Sequence, residues 1–192
     1  MSIAIHEIDI EDGKYVGELD TEGRMHGHGT ATWENGEKYE GEWRFDTMDG
    51  FGRYTWADGD YYEGQYNDGM QHGKGELRDS MGLYRGEWSR DERHGFGKME
   101  YNDGSVYEGQ WFRNDPHGQG MMREKNGDTY EGDFVKHIRQ GKGIWKNSVG
   151  DVYEGEFVQG LPSGEGTYRW ADGTVYRGHF SNGVKHGQGC ER

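Results

Sequence analysis

An all-β fold is predicted, an elongated single-layer antiparallel β-meander forming a twisted ribbon of β-hairpins. Three observations predict it: a short repeat, a period of two within each half of the repeat, and turn signals between the halves. The repeat is anchored on Gly17, Gly41, Gly64, Gly86, Gly109, Gly132, Gly155 and Gly178, spaced 22 to 24 residues apart. A second glycine register follows at Gly27, Gly50, Gly73, Gly95, Gly118, Gly141, Gly164 and Gly187, and each of these is followed two residues later by another glycine. Eight units of about 23 residues therefore cover nearly the whole chain, and a short period of this kind is the mark of a repeat architecture. Residues 1–12 lie ahead of the array and are expected to form an N-terminal capping strand. Residues 13–192 form the eight tandem repeats, with no linker between them.

The first half of each unit carries Tyr-x-Gly-x-aromatic, as in "VYEGQW" (Val106 to Trp111) and "VYEGEF" (Val152 to Phe157). Residues two apart share one face of a strand, so the tyrosine, glycine and second aromatic point one way and the intervening acids the other. The second half, for example Gly50, Gly52, Tyr54 and Trp56, also has a period of two. Between the halves stand "NDG" (Asn67 to Gly69) and "SNG" (Ser181 to Gly183), and after the second half "ADG" (Ala57 to Gly59), all hairpin signals. A two-residue turn at Asp68-Gly69 would set Gly64 opposite Gly73, Tyr62 opposite Gly75 and Glu63 opposite Lys74. The same offset places Glu131 opposite Lys142 and Glu154 opposite Glu165, so aromatic rings over glycines, not ion pairs, organise the sheet. At the N-terminus Ile3 alternates with Ile5, and Ile8 with Ile10, as a strand lacking the glycine motif.

Composition narrows the function. The 192 residues include 36 Gly, 13 Tyr and 7 Trp, and only 30% are hydrophobic, too few for a conventional globular core. A formal net charge of -14 disfavours nucleic acid and anionic lipid, which attract cationic surfaces. A single cysteine, Cys190, excludes an intramolecular disulfide framework and fits a reducing compartment. No apolar run approaches the ~20 residues that span a bilayer. The acidic start lacks the basic segment of a secretory signal, so a cytoplasmic protein is expected.

No enzyme constellation emerges. Gly-x-Gly invites a nucleotide-loop reading, but here a strand follows it, where such a loop needs a helix. The histidines before the glycine pairs (His72, His94, His117, His186) lie one repeat apart, too far to converge on a metal, and are expected to support turns by hydrogen bonding. Glu40, Glu42, Glu63, Glu108, Glu131, Glu154 and Glu156 fall on the face away from the aromatics as a solvated ladder. No catalytic, cofactor-binding or metal-binding residue is assigned, and no cofactor is expected. The aromatic face is the candidate site. One layer cannot cover both of its faces, so Tyr39, Trp43, Tyr62, Tyr66, Tyr84, Trp88, Tyr107 and Trp111 are expected to remain half-exposed as a partner-binding groove. The strand Val184, Lys185, His186, Gly187, Gln188, Gly189 and Cys190 has no downstream neighbour, and its two glycines cover nothing. It is expected to pair with another chain, as a homodimer or through a partner's strand.

The motif "YEGEW" (Tyr39 to Trp43) and the paired glycines that follow it resemble the MORN repeat, over residues 13–189. The resemblance implies a twisted antiparallel ribbon and non-enzymatic roles: in ciliary axonemes and basal bodies, in parasite cytoskeletal collars, as groove binders of partner peptides, and beside membranes in junction proteins and lipid kinases. The chain departs from the pattern at Leu19, where an aromatic belongs, and in "GELRDSMG", which lacks the aromatic after the glycine pair. It departs again at Gln140 and Ser163, where other units have histidine. The expected function is a scaffold or adaptor in a cytoskeletal assembly, the ciliary axoneme or basal body, with other proteins as partners. The alternative is a membrane-surface module binding phosphoinositides, which would need clustered Lys and Arg that the scattered basic residues do not supply.

Overall fold

A computed structural model describes residues 4–192, and Ile3 of the proposed alternation lies outside them. Seventeen strands and no helices are found among the described residues. The chain divides into two compact units, one ending at Arg93 and the other starting at His94. The first holds β1 (His6–Ile10), β2 (Gly13–Leu19), β3 (Met25–Trp33), β4 (Lys38–Arg44), β5 (Thr47–Thr55), β6 (Tyr61–Asn67), β7 (Met70–Asp79) and β8 (Gly82–Ser89). Each strand there pairs antiparallel with the next, and β1, which lacks the glycine motif, lies against β2.

The second unit holds most of β9 (Glu92–Tyr101), then β10 (Val106–Phe112), β11 (Asp115–Arg123), β12 (Thr129–Val135), β13 (Ile138–Lys146), β14 (Val152–Val158), β15 (Leu161–Arg169), β16 (Val175–Ser181) and β17 (Val184–Glu191). It is likewise an antiparallel meander in chain order.

Both kinds of connection follow from local chemistry. The two halves of a repeat are joined by two-residue turns such as Asp68-Gly69, with φ of 52° and 80°. Two successive residues at positive φ make the type I′ turn, whose twist matches that of the flanking strands. Lys136-His137 (φ 47° and 71°) keeps this geometry without glycine. The longer connections are Asx turns: Asn35, Asp58, Asp103, Asn126 and Asp172 each accept, at Oδ1, the N–H two residues on.

The register differs from the expected one beyond the turn. Asn67, Tyr66 and Gln65 face Met70, Gln71 and His72, as a two-residue turn requires, but Gly64 then faces Gly75, and Glu63 faces Glu76. Glu131 accordingly faces Ile144, and Glu154 faces Thr167. The cause is a bulge that takes Gly73 and Lys74 out of the pairing. Gly73 sits at φ 61°, and the Lys74 N–H turns to donate to Gln65 Oε1 at 2.8 Å. The same cap recurs at Glu18, Glu42, Gln110 and Asp133, whose side chains accept the N–H of His28, Phe51, Gln119 and Lys142. So the acid or amide after the motif glycine holds the bulge, a role that a solvated ladder would not have.

This two-residue shift aligns one glycine from every repeat strand. Gly17, Gly29, Gly41, Gly52, Gly64, Gly75 and Gly86 are consecutive partners in the first unit. Gly97, Gly109, Gly120, Gly132, Gly143, Gly155, Gly166, Gly178 and Gly189 are consecutive partners in the second. The motif tyrosine lies over this row. A Cβ built on Gly109 would come 2.5 Å from the Gly120 Cα and 2.7 Å from the Tyr107 hydroxyl oxygen, so only glycine fits. In all eight repeats the tyrosine hydroxyl donates to the backbone carbonyl three residues on, at 2.8 to 3.2 Å. That bond, worth about 0.5–1.5 kcal/mol each, explains why the first aromatic is always tyrosine while the second varies.

Two outcomes test this packing. Gly109→Val is expected to lower stability by about 1–3 kcal/mol through overpacking, whereas its neighbour Glu108→Val, on the opposite face, is expected to change it little. Coincident thermal melts of the two variants would refute the face assignment. The second outcome concerns pH. Burial holds the hydroxyls of Tyr15, Tyr130 and Tyr153 up at about 12, against an ordinary 10, and raises Tyr39, Tyr62, Tyr84 and Tyr107 in the same direction. A folded-state pKa above the unfolded one gives stability that is complete below about pH 10 and is lost as pH climbs through 10 to 12 and beyond. Tyrosinate absorbance at 295 nm is therefore expected to rise together with loss of the β-sheet circular dichroism. Reversible titration of all the tyrosines near pH 10 with the sheet intact would contradict it.

Candidate functional site

The expected groove residues lie elsewhere than on an open surface. Tyr39, Tyr62, Tyr84 and Tyr107 are 0–1% exposed, and Trp43, Tyr66, Trp88 and Trp111 are 3–6% exposed, so these rings are the core and not a half-exposed groove. The reason is the ring geometry. Each motif tyrosine lies on glycines, and Tyr39, Tyr62, Tyr107, Tyr130 and Tyr153 each meet the second aromatic of their own repeat and that of the next edge-on. Tyr39 meets Trp43 at 5.0 Å and Tyr66 at 5.3 Å between centroids, both at 89°. Tyr130 meets Phe134 and Phe157 at 5.0 and 4.9 Å. Such pairs add about 0.5–1.5 kcal/mol each beyond burial. The indole N–H groups of Trp43, Trp88 and Trp111 also find partners, in the carbonyls of Gly29, Gly75 and Gly97. A single layer covers this face with its own rings. The rings left half-buried are Trp33, Tyr54, Trp56 and Tyr61 in the first unit and Tyr101, Trp145, Tyr168 and Trp170 in the second, most of them on a second strand or just beyond it.

The expected edge strand, Val184, Lys185, His186, Gly187, Gln188, Gly189 and Cys190, is β17. All of its residues are exposed, and it pairs with β16. Its glycines do not stand bare: Gly189 lies under the Tyr176 ring, and Gly187, at φ 63°, is the bulge glycine of its repeat. Among the described residues no side-chain hydrogen bond is found for His72, His94, His117 or His186, the expected turn supports. His94 and His117 flank the Phe112 ring at 5.6 and 5.8 Å, and His26 lies against Phe45 at 5.2 Å with its buried Nδ1 unbonded.

The surface that can take a partner is the opposite, open face over the glycine row. In the first unit a shallow groove of about 570 Å³ runs over Gly17, Gly29, Gly41 and Gly52. Val16, Thr30, Glu40 and Arg53 wall it on one side, and His28, Glu42 and Phe51 on the other. In the second unit a groove of about 850 Å³ runs over Gly132, Gly143 and Gly155. Glu131, Ile144, Glu154, Thr167 and Arg177 form one wall, and Asp133, Lys142, Glu156 and Glu165 face them. Exposed apolar side chains stand among these polar walls: Val16 and Phe51 in the first unit, Met121 and Ile144 in the second, at 43–53% exposure. Sequence reasoning missed them. The available signal was an apolar residue beside a row glycine, on a face that is otherwise charged.

The two grooves differ in how their carboxylates are paired. In the first unit the row carboxylates are neutralised: Glu40 by Lys38 at 2.7 Å, Glu63 by Arg53 at 2.8 Å and Glu76 by Arg85 at 2.6 Å. In the second, Glu131 stands between Met121 and Ile144, and Glu154 between Ile144 and Thr167. No ion pair or hydrogen bond reaches the side chains of Glu131 and Glu154 among the described residues.

No curated protein matches the chain. A solved structure of the SAS-4 (dCPAP) TCP domain of Drosophila melanogaster, in complex with a proline-rich motif of Ana2 (dSTIL), is similar over 92% of this chain and 90% of that one, at 14% identity and a TM-score of 0.48. The TCP10 domain of Danio rerio CPAP is similar over 91% of this chain and 94% of that one, at 12% identity and a TM-score of 0.31. Neither likeness bears on what this chain binds. The MORN repeat family matches eight times in succession, at residues 13–38, 39–61, 62–83, 84–106, 107–129, 130–152, 153–175 and 176–192. With tyrosine over glycine in every one of those copies, the chain belongs to the MORN repeat family.

Proposed function

We propose that the chain is a non-enzymatic scaffold that binds partner proteins on the open face over its glycine rows, within a cytoskeletal assembly of the cilium, the axoneme or basal body. The observation that carries this reading is the groove present in each unit, with exposed Phe51 in one and Ile144 in the other set among charged walls. The tyrosine face is occupied by its own packing, whereas the open face packs on nothing within its unit. Apolar side chains left in such a place suit a partner that supplies the missing contacts. A repeat scaffold presents many copies of one modest surface, so contacts that are weak singly become firm when several engage together. The ciliary setting rests on the roles that the repeat resemblance implies.

Affinity capture from ciliated cells tests this. The wild type is expected to retain axonemal or basal-body proteins, and the double variant Phe51→Asp/Ile144→Asp to lose most of them while melting at the same temperature. Equal retention by the variant, or retained proteins without cytoskeletal origin, would remove the reading. Sedimentation with phosphoinositide-containing vesicles at physiological salt is expected to leave the chain in the supernatant, and co-sedimentation there would favour the membrane alternative.

A further inference from the structure

We propose that the open face of the second unit binds a cationic segment in the polyproline II conformation, with a basic residue at every third position. The inference rests on the open face being a binding surface and adds what it binds. The row that forms this wall reads, strand by strand, Glu108, Met121, Glu131, Ile144, Glu154, Thr167 and Arg177, each the direct cross-strand partner of the next; the groove is lined from Glu131 onward, and Glu108 and Met121 continue the row beyond it. From Glu108 to Thr167 carboxylates and uncharged side chains alternate. Strands stand about 4.8 Å apart, so successive carboxylates repeat about every 9.6 Å along the groove.

Three candidate backbones can be compared with that period and with the groove's width. The two wall rows are the residues before and after each row glycine, about 6.6 Å apart at ~3.3 Å per residue. A helix, about 10–12 Å across with its side chains, is too thick to seat between them. A β-strand laid along the groove presents same-face residues every ~6.6 Å and falls out of step by the second carboxylate. A polyproline II segment advances ~3.1 Å per residue with three residues per turn, so its same-face residues recur every ~9.3 Å. That matches the carboxylate period. The carboxylates are separated along the row by Met121 and Ile144, which are 46% and 43% exposed and leave apolar surface beside the stem of such a segment.

Charge selects the sign of the partner and the unit it chooses. Glu131 and Glu154 have uncharged cross-strand neighbours on both sides, and the groove lining carries five carboxylates, Glu131, Asp133, Glu154, Glu156 and Glu165, against three cations, Lys142, Arg169 and Arg177. In the first unit Lys38, Arg53 and Arg85 already occupy the corresponding carboxylates. A basic segment therefore gains little there and is directed to the second unit. Partly exposed charges are screened over roughly 8 Å at physiological salt, so register with the carboxylates, not net charge alone, has to supply selectivity.

Two labelled nine-residue peptides test the match, used with the full chain in fluorescence anisotropy at about 0.15 M salt. One is Pro-Pro-Arg repeated three times. The other has the same composition with its three arginines contiguous. The spaced peptide is expected to bind about tenfold more tightly. Glu131→Gln/Glu154→Gln is expected to abolish that preference, while Glu11→Gln/Glu34→Gln, which removes the same charge from exposed turns, leaves it intact. Circular dichroism melts establish that both variants are folded. Equal binding of the two peptides, or a spaced-peptide preference that survives Glu131→Gln/Glu154→Gln, overturns the proposal. If the peptides fail while partner capture still depends on Phe51 and Ile144, only this inference falls. If capture is indifferent to those residues, the open-face reading falls with it.

Discussion

A tyrosine ring lying flat on a pair of cross-strand glycines is the contact on which the rest of the structure depends. It requires glycine at the same height on neighbouring strands, since a Cβ on Gly109 would meet both the Gly120 backbone and the Tyr107 hydroxyl. It brings each ring low enough for the next aromatic to meet it edge-on, and it places the hydroxyl within reach of a carbonyl three residues on. One layer of sheet then covers one of its faces without a second layer, which is how a chain with so few aliphatic residues can have a core. The cost falls on the strand that must keep its glycine in the row. It does so by bulging, with Gly73 and its counterparts in the left-handed region and a side-chain acceptor holding the displaced N–H.

Much of this was legible in the sequence. The period, the hairpins, the turn at Asp68-Gly69 and the partnership of tyrosine with glycine follow from residue spacing alone. The register past the turn did not, because pairing was counted outward from the turn as if the ladder were regular. The bulge left two traces in the chain. Glu, Gln or Asp follows the motif glycine in seven repeats, and the first aromatic is tyrosine in all eight while the second position is Trp, Tyr or Phe in seven and Leu19 in the first. A position that never accepts phenylalanine is using its hydroxyl. The tyrosine face is closed for a related reason: the ring edges, seated against one another, and not the number of layers, decide its exposure.

The open face was harder to foresee because its character depends on cross-strand neighbours, and those depend on the register. A regular ladder would have set Lys142 beside Glu131. The bulge sets Ile144 there instead, and Lys142 faces Glu156. A two-residue shift thus separates a surface of ion pairs from one of alternating carboxylates and apolar side chains. In the first unit the same shift brings Arg53 beside Glu40. The sequence pattern "YEG" is common to both units, and its electrostatic meaning is set by the residue that the neighbouring strand supplies.

The division of labour between the faces has a consequence for how such a chain can change. On the tyrosine side every position answers to packing, so substitutions there are felt as lost stability. On the open side the residue before each motif glycine caps no bulge, and the fold leaves it free to vary. The residue after the motif glycine is not: its side chain lies in the groove wall yet holds the bulge, as Glu42 and Asp133 do. Specificity is therefore written mainly in one row, Val16 to Arg85 in the first unit and Lys98 to Cys190 in the second, while the other row is tied to the fold. A partner that reads only the free row can be gained or lost without endangering the sheet. A partner that leans on the tied row inherits the acidity that the bulges require.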